Sequence, residues 1–342
     1  MPSAKDDTAS PGEVSATQPA GATDTQPAAT VRDYVAMARP DHWTKHVFIV
    51  PGIALAHLLH DQPLIALAVP IALGFLSACA IASANYLINE WLDAGYDRFH
   101  PTKSQRPAVA KDVRGPVVLT AYAGLAAIGL GFAAAVSTLY LYTSVAFLAS
   151  GLVYNVRPIR SKDRPYLDVL SESVNNPIRL VLGWAMVSPD TLPPSSLLLA
   201  FWMGGAFLMA TKRFAEYRTV AAEGRLEDLA LYRRSFRRYT ETSLLLSAFL
   251  YSQMAAFFLA VFLIKYRIEY LLSLPLFALL FTCYLRVGLR HDSTAQAPEK
   301  LFRETTLMVV VAVLVAALAI LTVVDLPILD RLADPHFIQL GR

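Results

Sequence analysis

Long apolar runs separated by short charged segments dominate the chain. Six of them approach the roughly 20 residues that carry a helix across a hydrocarbon core. These cover 64–87, 116–136, 139–156, 166–187, 243–264 and 307–324. Three are shorter, at 47–60, 197–214 and 270–285. Charge placement supports the short runs as well as the long ones. With nine spans and an inside N-terminus, segments 1–45, 93–114, 157–164, 212–238 and 286–303 share one side and hold 25 of the 30 Lys and Arg residues. The exceptions are Arg179, Lys265, Arg267, Arg331 and Arg342. Deleting any one span would invert every later loop and destroy this bias, so the positive-inside rule argues for all nine together. The pattern predicts an all-α polytopic membrane protein. It expects nine transmembrane helices around a cytoplasm-facing polar cavity, in the cell (inner or plasma) membrane with a cytoplasmic N-terminus.

Composition agrees. Of 342 residues, 55% are apolar and 17% are Asp, Glu, Lys or Arg, against about 25% charged in soluble domains, which excludes an ordinary water-soluble globule. Residues 1–30 are rich in Ala, Thr, Ser, Pro and Gln and lack a long apolar stretch. They read as a disordered cytoplasmic tail and not as a signal peptide, leaving 31–342 as the membrane domain. Cys79 and Cys283 lie in apolar runs with no metal-binding spacing, so each is read as a packed side chain. The net charge of +3 comes from the inside loops and calls for no nucleic acid.

Polar residues at the ends of the apolar runs suggest chemistry. The second run ends in SANYLINEWLDAGYD, with Asn85, Asn89, Glu90, Asp93 and Asp97. Asn85, Asn89, Asp93 and Asp97 are four apart, so each step on a helix turns about 400° and the four share a slowly drifting stripe. Such oxygen ligands suit magnesium, which is commonly held by one or two carboxylates and shared with substrate phosphates. The plainer alternative is that Asp93 and Asp97 are solvated where the helix leaves the bilayer. The next loop, HPTKSQRP, brings His100, Lys103 and Arg106, cations able to neutralise a phosphorylated ligand from its other side. Further on, YNVRPIRSKDRPYLDVLSESVNNPIR contains Tyr154, Arg160, Lys162, Asp168, Glu172, Asn175, Asn176 and Arg179. Arg179 lies deep in an apolar run, where an arginine costs roughly 2.5 to 3.5 kcal/mol unless it meets an anion or a water-filled cavity. Lys212, Arg213 and Glu216 end the sixth run, and Arg39, Trp43 and Lys45 precede the first. Interfacial anchoring explains Trp43 as readily as catalysis does. The RRSFRR run at 233–238 reads as topology and lipid-headgroup contact.

The run N-E-x-x-D-x-x-x-D from Asn89 to Asp97, the D-x-x-x-E from Asp168 to Glu172 after a Tyr154-containing loop, and the nine spans resemble the UbiA-type intramembrane prenyltransferase superfamily. Within it the likeness is to the decaprenyl-phosphate phosphoribosyltransferase branch. RPDHWTKHVF, the D-x-x-H-P-T-K-x-x-R-P stretch from Asp97 to Pro107, TKRFAE and APEKLFRE carry that likeness over residues 38–325. The chain departs from the family at Glu90, where Asp is usual, and in YNVRPIRSKDRPYLD, which is as similar to the loop of quinone and aromatic prenyltransferases.

The resemblance implies a UbiA-type bundle, with 31–342 as a transferase domain serving cell-envelope biosynthesis. It implies Mg2+ held among Asn89, Glu90, Asp93, Asp97, Asp168 and Glu172, of which Asp93, Asp97, Asp168 and Glu172 are catalytic. Phosphoribosyl pyrophosphate would be the donor and a polyprenyl phosphate the acceptor. Substrate contacts would fall to Lys45, Asn85, Lys103, Arg106, Tyr154, Arg160, Lys162, Arg179, Lys212 and Arg213. Because the acceptor phosphate is already anionic, no general base is needed. One alternative is transfer of a prenyl group from prenyl pyrophosphate to an aromatic or lipid acceptor. The other is an ion-coupled transporter, against which stand the clustering of acidic stripes at one face and the lack of an inverted repeat. Homo-oligomerisation is compatible with the pattern.

Overall fold

The computed structural model describes residues 26–60, 63–100, 102–290, 293–296 and 298–329. Residues 1–25 of the expected tail, along with Arg331 and Arg342, lie outside them. The described residues fold as helices and their connections. Helix α1 covers Val31–Ala38, and a 3-10 stretch, Pro40–Ile49, leads into α2, Val50–His60. Then come α3 (Leu64–Asp97), a short α4 (Pro107–Ala110), α5 (Gly115–Val136) and α6 (Thr138–Asn155). After α7 (Leu167–Ser173) and α8 (Asn175–Ala185) follow α9 (Ser195–Ala222) and α10 (Leu226–Tyr232). The chain continues through α11 (Glu241–Tyr266), α12 (Leu274–Gly288) and α13 (Thr305–Val323).

Six helical stretches among the described residues are long and apolar enough to cross a membrane: 65–97, 115–136, 195–222, 241–266, 268–288, which joins a 3-10 turn at Ile268–Ser273 to α12, and 305–323. The chain is a multi-pass membrane protein. The other three apolar runs of the sequence coincide with α2, with the 18-residue α6 and with the pair α7 and α8. Pro177 accounts for the last of these breaks. Lacking an N–H, it leaves the Ser173 carbonyl without its helical donor, and Asn176 Nδ2 donates to that oxygen instead at 3.1 Å. Asn175 does the same for the Glu172 carbonyl at 3.0 Å.

Small residues and single hydroxyls bring the helices together. Ser77 on α3 donates to the Gly129 carbonyl of α5 at 2.7 Å, and Tyr140 on α6 to the Gly74 carbonyl of α3 at 2.6 Å. A Cβ on Gly52 or Gly183 would collide with the backbone of the facing element, so α2 and α8 meet at contact distance. Helices α9 and α11 pack around Ala206, Ala210, Ala248 and Tyr251. Away from these seams Phe249, Leu250 and Phe257 of α11 and Val309, Val315 and Ile320 of α13 are exposed, as expected of side chains that meet lipid.

The five segments expected inside gather at one end of the bundle. Arg39 reaches Glu90 at 3.5 Å, Arg160 reaches Asp93 at 2.7 Å and His100 stacks edge-on against Tyr232. Arg218 donates to the Leu289 carbonyl at 2.7 Å and Gln296 to Thr219 at 2.9 Å. At the other end Thr191 meets His60, and Arg267 pairs with Asp325.

Candidate active site

The loop between α6 and α7 turns back on itself because Arg160 takes a left-handed conformation, φ 32°, sparsely populated for a residue with a Cβ. Its N–H donates to the Val156 carbonyl at 2.8 Å. The turn presents Arg160 and Lys162 to the last turns of α3. There Asp93 Oδ1 accepts from Arg160 Nη2 at 2.7 Å and pairs with Lys162 Nζ at 2.6 Å. One helical turn on, Asp97 pairs with Arg106 and, at 3.8 Å, with Lys103. Asn155 fixes the register from α6: its side-chain oxygen accepts from Asn89 at 2.5 Å and from Lys162 at 2.6 Å. Asp93, Asp97, Lys103, Arg160, Lys162 and Arg233 line one cavity with Tyr96, Asp163 and Tyr232.

Burial, with other cations close by, tunes the loop lysines. It lowers Lys162 from 10.5 to about 8 against the opposing pull of Asp93, and likewise lowers Lys103 to about 8 beside Arg233. Burial also holds His100 down at about 4, so the imidazole stays neutral at physiological pH.

The second acidic motif is joined to the first. Asp168 is fully buried and accepts hydrogen bonds from Tyr239 at 2.6 Å, Ser235 at 3.0 Å and Arg213 at 3.4 Å. Glu172 accepts from Tyr154 at 2.8 Å and Arg213 at 3.2 Å. Arg213 also donates to Glu216 at 3.2 Å, so one guanidinium serves three carboxylates. Arg233 links the halves: it lines the cavity of Asp93, donates to Tyr154 at 3.4 Å and lies 3.9 Å from Asp168.

Among the residues proposed from sequence, Asp93, Asp97, Lys103, Arg106, Arg160 and Lys162 form one charge network. Asp168, Glu172, Tyr154 and Arg213 form a second one, with Lys212 close enough to act on Glu172. Asn89 supports the first through Asn155. Asn85 turns away, donating to the Phe147 carbonyl at 3.0 Å and packing on Gly151. Glu90 also turns away, toward Arg39 and the Ala108 N–H. That position ties α1 and α4 to α3 and leaves Glu90 out of the cavity. Lys45 lies beside His42 at 3.2 Å. Arg179 stands apart in α8. Sequence reasoning missed Arg233, Tyr232, Ser235, Tyr239 and Asn155. Arg233 and Ser235 were read only as part of a basic surface run, and nothing in its spacing sets one arginine inward.

Among the described residues no three His, Cys, Asp or Glu side chains are placed to cage a metal. The donor chemistry fits magnesium all the same. Asp93 and Asp97 are hard oxygen ligands on one wall, and magnesium takes the rest of its shell from water and substrate phosphates. The cations now paired with the two carboxylates are those a diphosphate would attract, which would release oxygens for the ion.

The description of the UbiA prenyltransferase family matches residues 47–305. The nodulation protein NoeC of Azorhizobium caulinodans is 27% identical over 56% of this chain and 59% of its own. A decaprenyl-phosphate phosphoribosyltransferase of Corynebacterium glutamicum is 28% identical over 60% of this chain and 59% of its own. The chain therefore spans about three fifths of the length of these two relatives. Among solved structures, a UbiA homolog from Archaeoglobus fulgidus bound to DMAPP and Mg2+ superposes with a TM-score of 0.63 at 20% identity, covering 85% of this chain and 100% of that one.

Proposed function

The chain belongs to the UbiA prenyltransferase family, and from that premise we propose that it transfers 5-phosphoribosyl from phosphoribosyl pyrophosphate to a polyprenyl phosphate, releasing pyrophosphate. The supporting observation is the surplus of cations around Asp93 and Asp97: Lys103, Arg160, Lys162 and Arg233 line their cavity, and Arg106 pairs with Asp97 beside it. A prenyl diphosphate carries one anionic group, whereas phosphoribosyl pyrophosphate carries a diphosphate and a separate monophosphate. Magnesium, held by Asp93 and Asp97, would offset charge building on the departing pyrophosphate. Lys162 and Arg160 would bind its oxygens, and Lys103 and Arg106 the 5-phosphate. An oxygen of the acceptor phosphate forms the new bond to the anomeric carbon, and the bond to pyrophosphate breaks with its electron pair leaving on the pyrophosphate. The chain is read as a nine-pass protein of the cell membrane with this cavity at the cytoplasmic end, the side the 25 inside cations favour. The C. glutamicum relative bears the name of this activity. Prenyl transfer is the second reading, favoured by the DMAPP and Mg2+ bound to the A. fulgidus neighbour.

Purified protein incubated with magnesium and either phosphoribosyl pyrophosphate plus decaprenyl phosphate, or a prenyl pyrophosphate plus an aromatic acceptor, separates the two. Mass spectrometry should find a phosphoribosylated lipid only in the first. If only the second gives product, the proposal fails.

The depressed lysines make a further prediction. As pH rises through about 8, Lys103 and Lys162 lose their charge, whereas free lysines stay charged to about 10.4. Donor affinity should therefore weaken from pH 7 to pH 9, with two charges at stake, as read by calorimetric titration of phosphoribosyl pyrophosphate. A flat profile would show that these amines do not hold the donor.

A further inference from the structure

The proposed transfer brings together two anions, one on a water-soluble donor and one on a lipid, and a second cationic position lies apart from the cavity of Asp93. Arg179 lies in the second turn of α8, past the break that separates that helix from Glu172 on α7. Its Nε is buried and has no hydrogen-bond partner among the described residues. The guanidinium rests over the Phe147 ring, 5.6 Å from its centre. His46, 3% exposed, has an Nδ1 that is likewise without a partner. The two are neighbours because α8 and the stretch before α2 touch at Gly183, where a Cβ would strike the backbone of Ile49 and Ile53. Arg179 lies one helical turn before Gly183, His46 one 3-10 turn before Ile49, and the charge of Arg179 is felt at His46.

Half-buried Arg179 has an unpartnered, buried Nε and no carboxylate of the described residues at ion-pair distance, only the more distant charge of Glu172 acting on it; such a guanidinium is costly at this depth and leaves a place for a visiting negative charge. We infer that Arg179 and His46 seat the phosphate of the polyprenyl acceptor. The order from the polar end inward is then pyrophosphate, ribose, lipid phosphate and prenyl chain. Displacement at the anomeric carbon requires that order, because the reacting carbon lies between nucleophile and leaving group. Prenyl transfer to an aromatic acceptor attaches the hydrocarbon directly to the diphosphate and needs no second phosphate seat further in. The inference rests on the phosphoribosyl reading above.

The test is Arg179→Met in the full chain, in detergent micelles containing decaprenyl phosphate. The expected result is an acceptor KM at least tenfold higher, calorimetric binding of phosphoribosyl pyrophosphate with magnesium within twofold of the parent, and a higher Tm, because a charge lacking a partner has been removed. A lower Tm, an unchanged acceptor KM or a parallel loss of donor binding would overturn the seat. His46→Leu gives the same split between acceptor KM and donor binding should Arg179→Met fail to accumulate. A parent protein that forms no phosphoribosylated lipid would instead overturn the underlying reading, which keeps the two failures apart.

Discussion

Asp93→Asn is expected to lower turnover by about a thousandfold while leaving the fold in place. The amide keeps the shape of the side chain and one oxygen able to accept from Arg160 or Lys162, but it removes the negative charge a hard cation requires. Metal stabilisation of a leaving group is worth several kcal/mol, and each 1.36 kcal/mol is a factor of ten in rate, so losing about 4 kcal/mol gives that magnitude. Asp93 lies at the polar end of α3 and is not locked in packed hydrocarbon, so the melting temperature should move by only a few degrees. The measurement is pyrophosphate release at saturating donor and acceptor, with gel filtration confirming an intact particle. A variant retaining more than a tenth of parental turnover would exclude Asp93 as a metal ligand.

Arg213→Leu should instead fail at the level of the fold. The parent guanidinium is 3% exposed and lies within 3.4 Å of Asp168, Glu172 and Glu216. Removing it leaves three carboxylates, Asp168 fully buried among them, with only hydroxyl donors and more distant cations. Breaking a buried ion pair by deleting one partner costs about 3 to 5 kcal/mol, a large part of the stability of most proteins. The expected readout is a Tm lower by ten degrees or more, or loss of monodisperse protein, before any assay is possible. Arg213→Lys, which keeps the charge but cannot span three acceptors with a planar fork, should fall between. If Arg213→Leu melts like the parent, the three-carboxylate junction does not hold α7 to α9.

The apolar runs were legible because crossing a bilayer demands length and apolarity together, and the bias of basic residues toward alternate loops added order to them. Each of the nine runs coincides with a helix or helix pair. The break at Pro177 was not read, since the fifth run is apolar enough to look continuous. The stripe from Asn85 to Asp97 was right in its periodicity and incomplete in its consequences. A stripe that drifts around a 34-residue helix meets different neighbours at different heights: α6 at Asn85 and Asn89, the cavity only at Asp93 and Asp97, while Glu90, beside the stripe, meets Arg39 and α4. Arg233 escaped notice for the opposite reason. Its role comes from tertiary contact with Asp168 and Tyr154, and its sequence neighbours are arginines too.

Helix α3 both spans the apolar core and carries the carboxylates at its tip. Its 34 residues extend about 51 Å at 1.5 Å per residue, well past a core about 30 Å thick. Height and bearing are thus geared together in one rod. Adding a single residue between Ser77 and Asn89 would raise Asp93 by about 1.5 Å and swing it about 100°, away from Lys162 and toward α5. Within this helix only changes that preserve phase keep the two carboxylates facing the cations of the neighbouring loops.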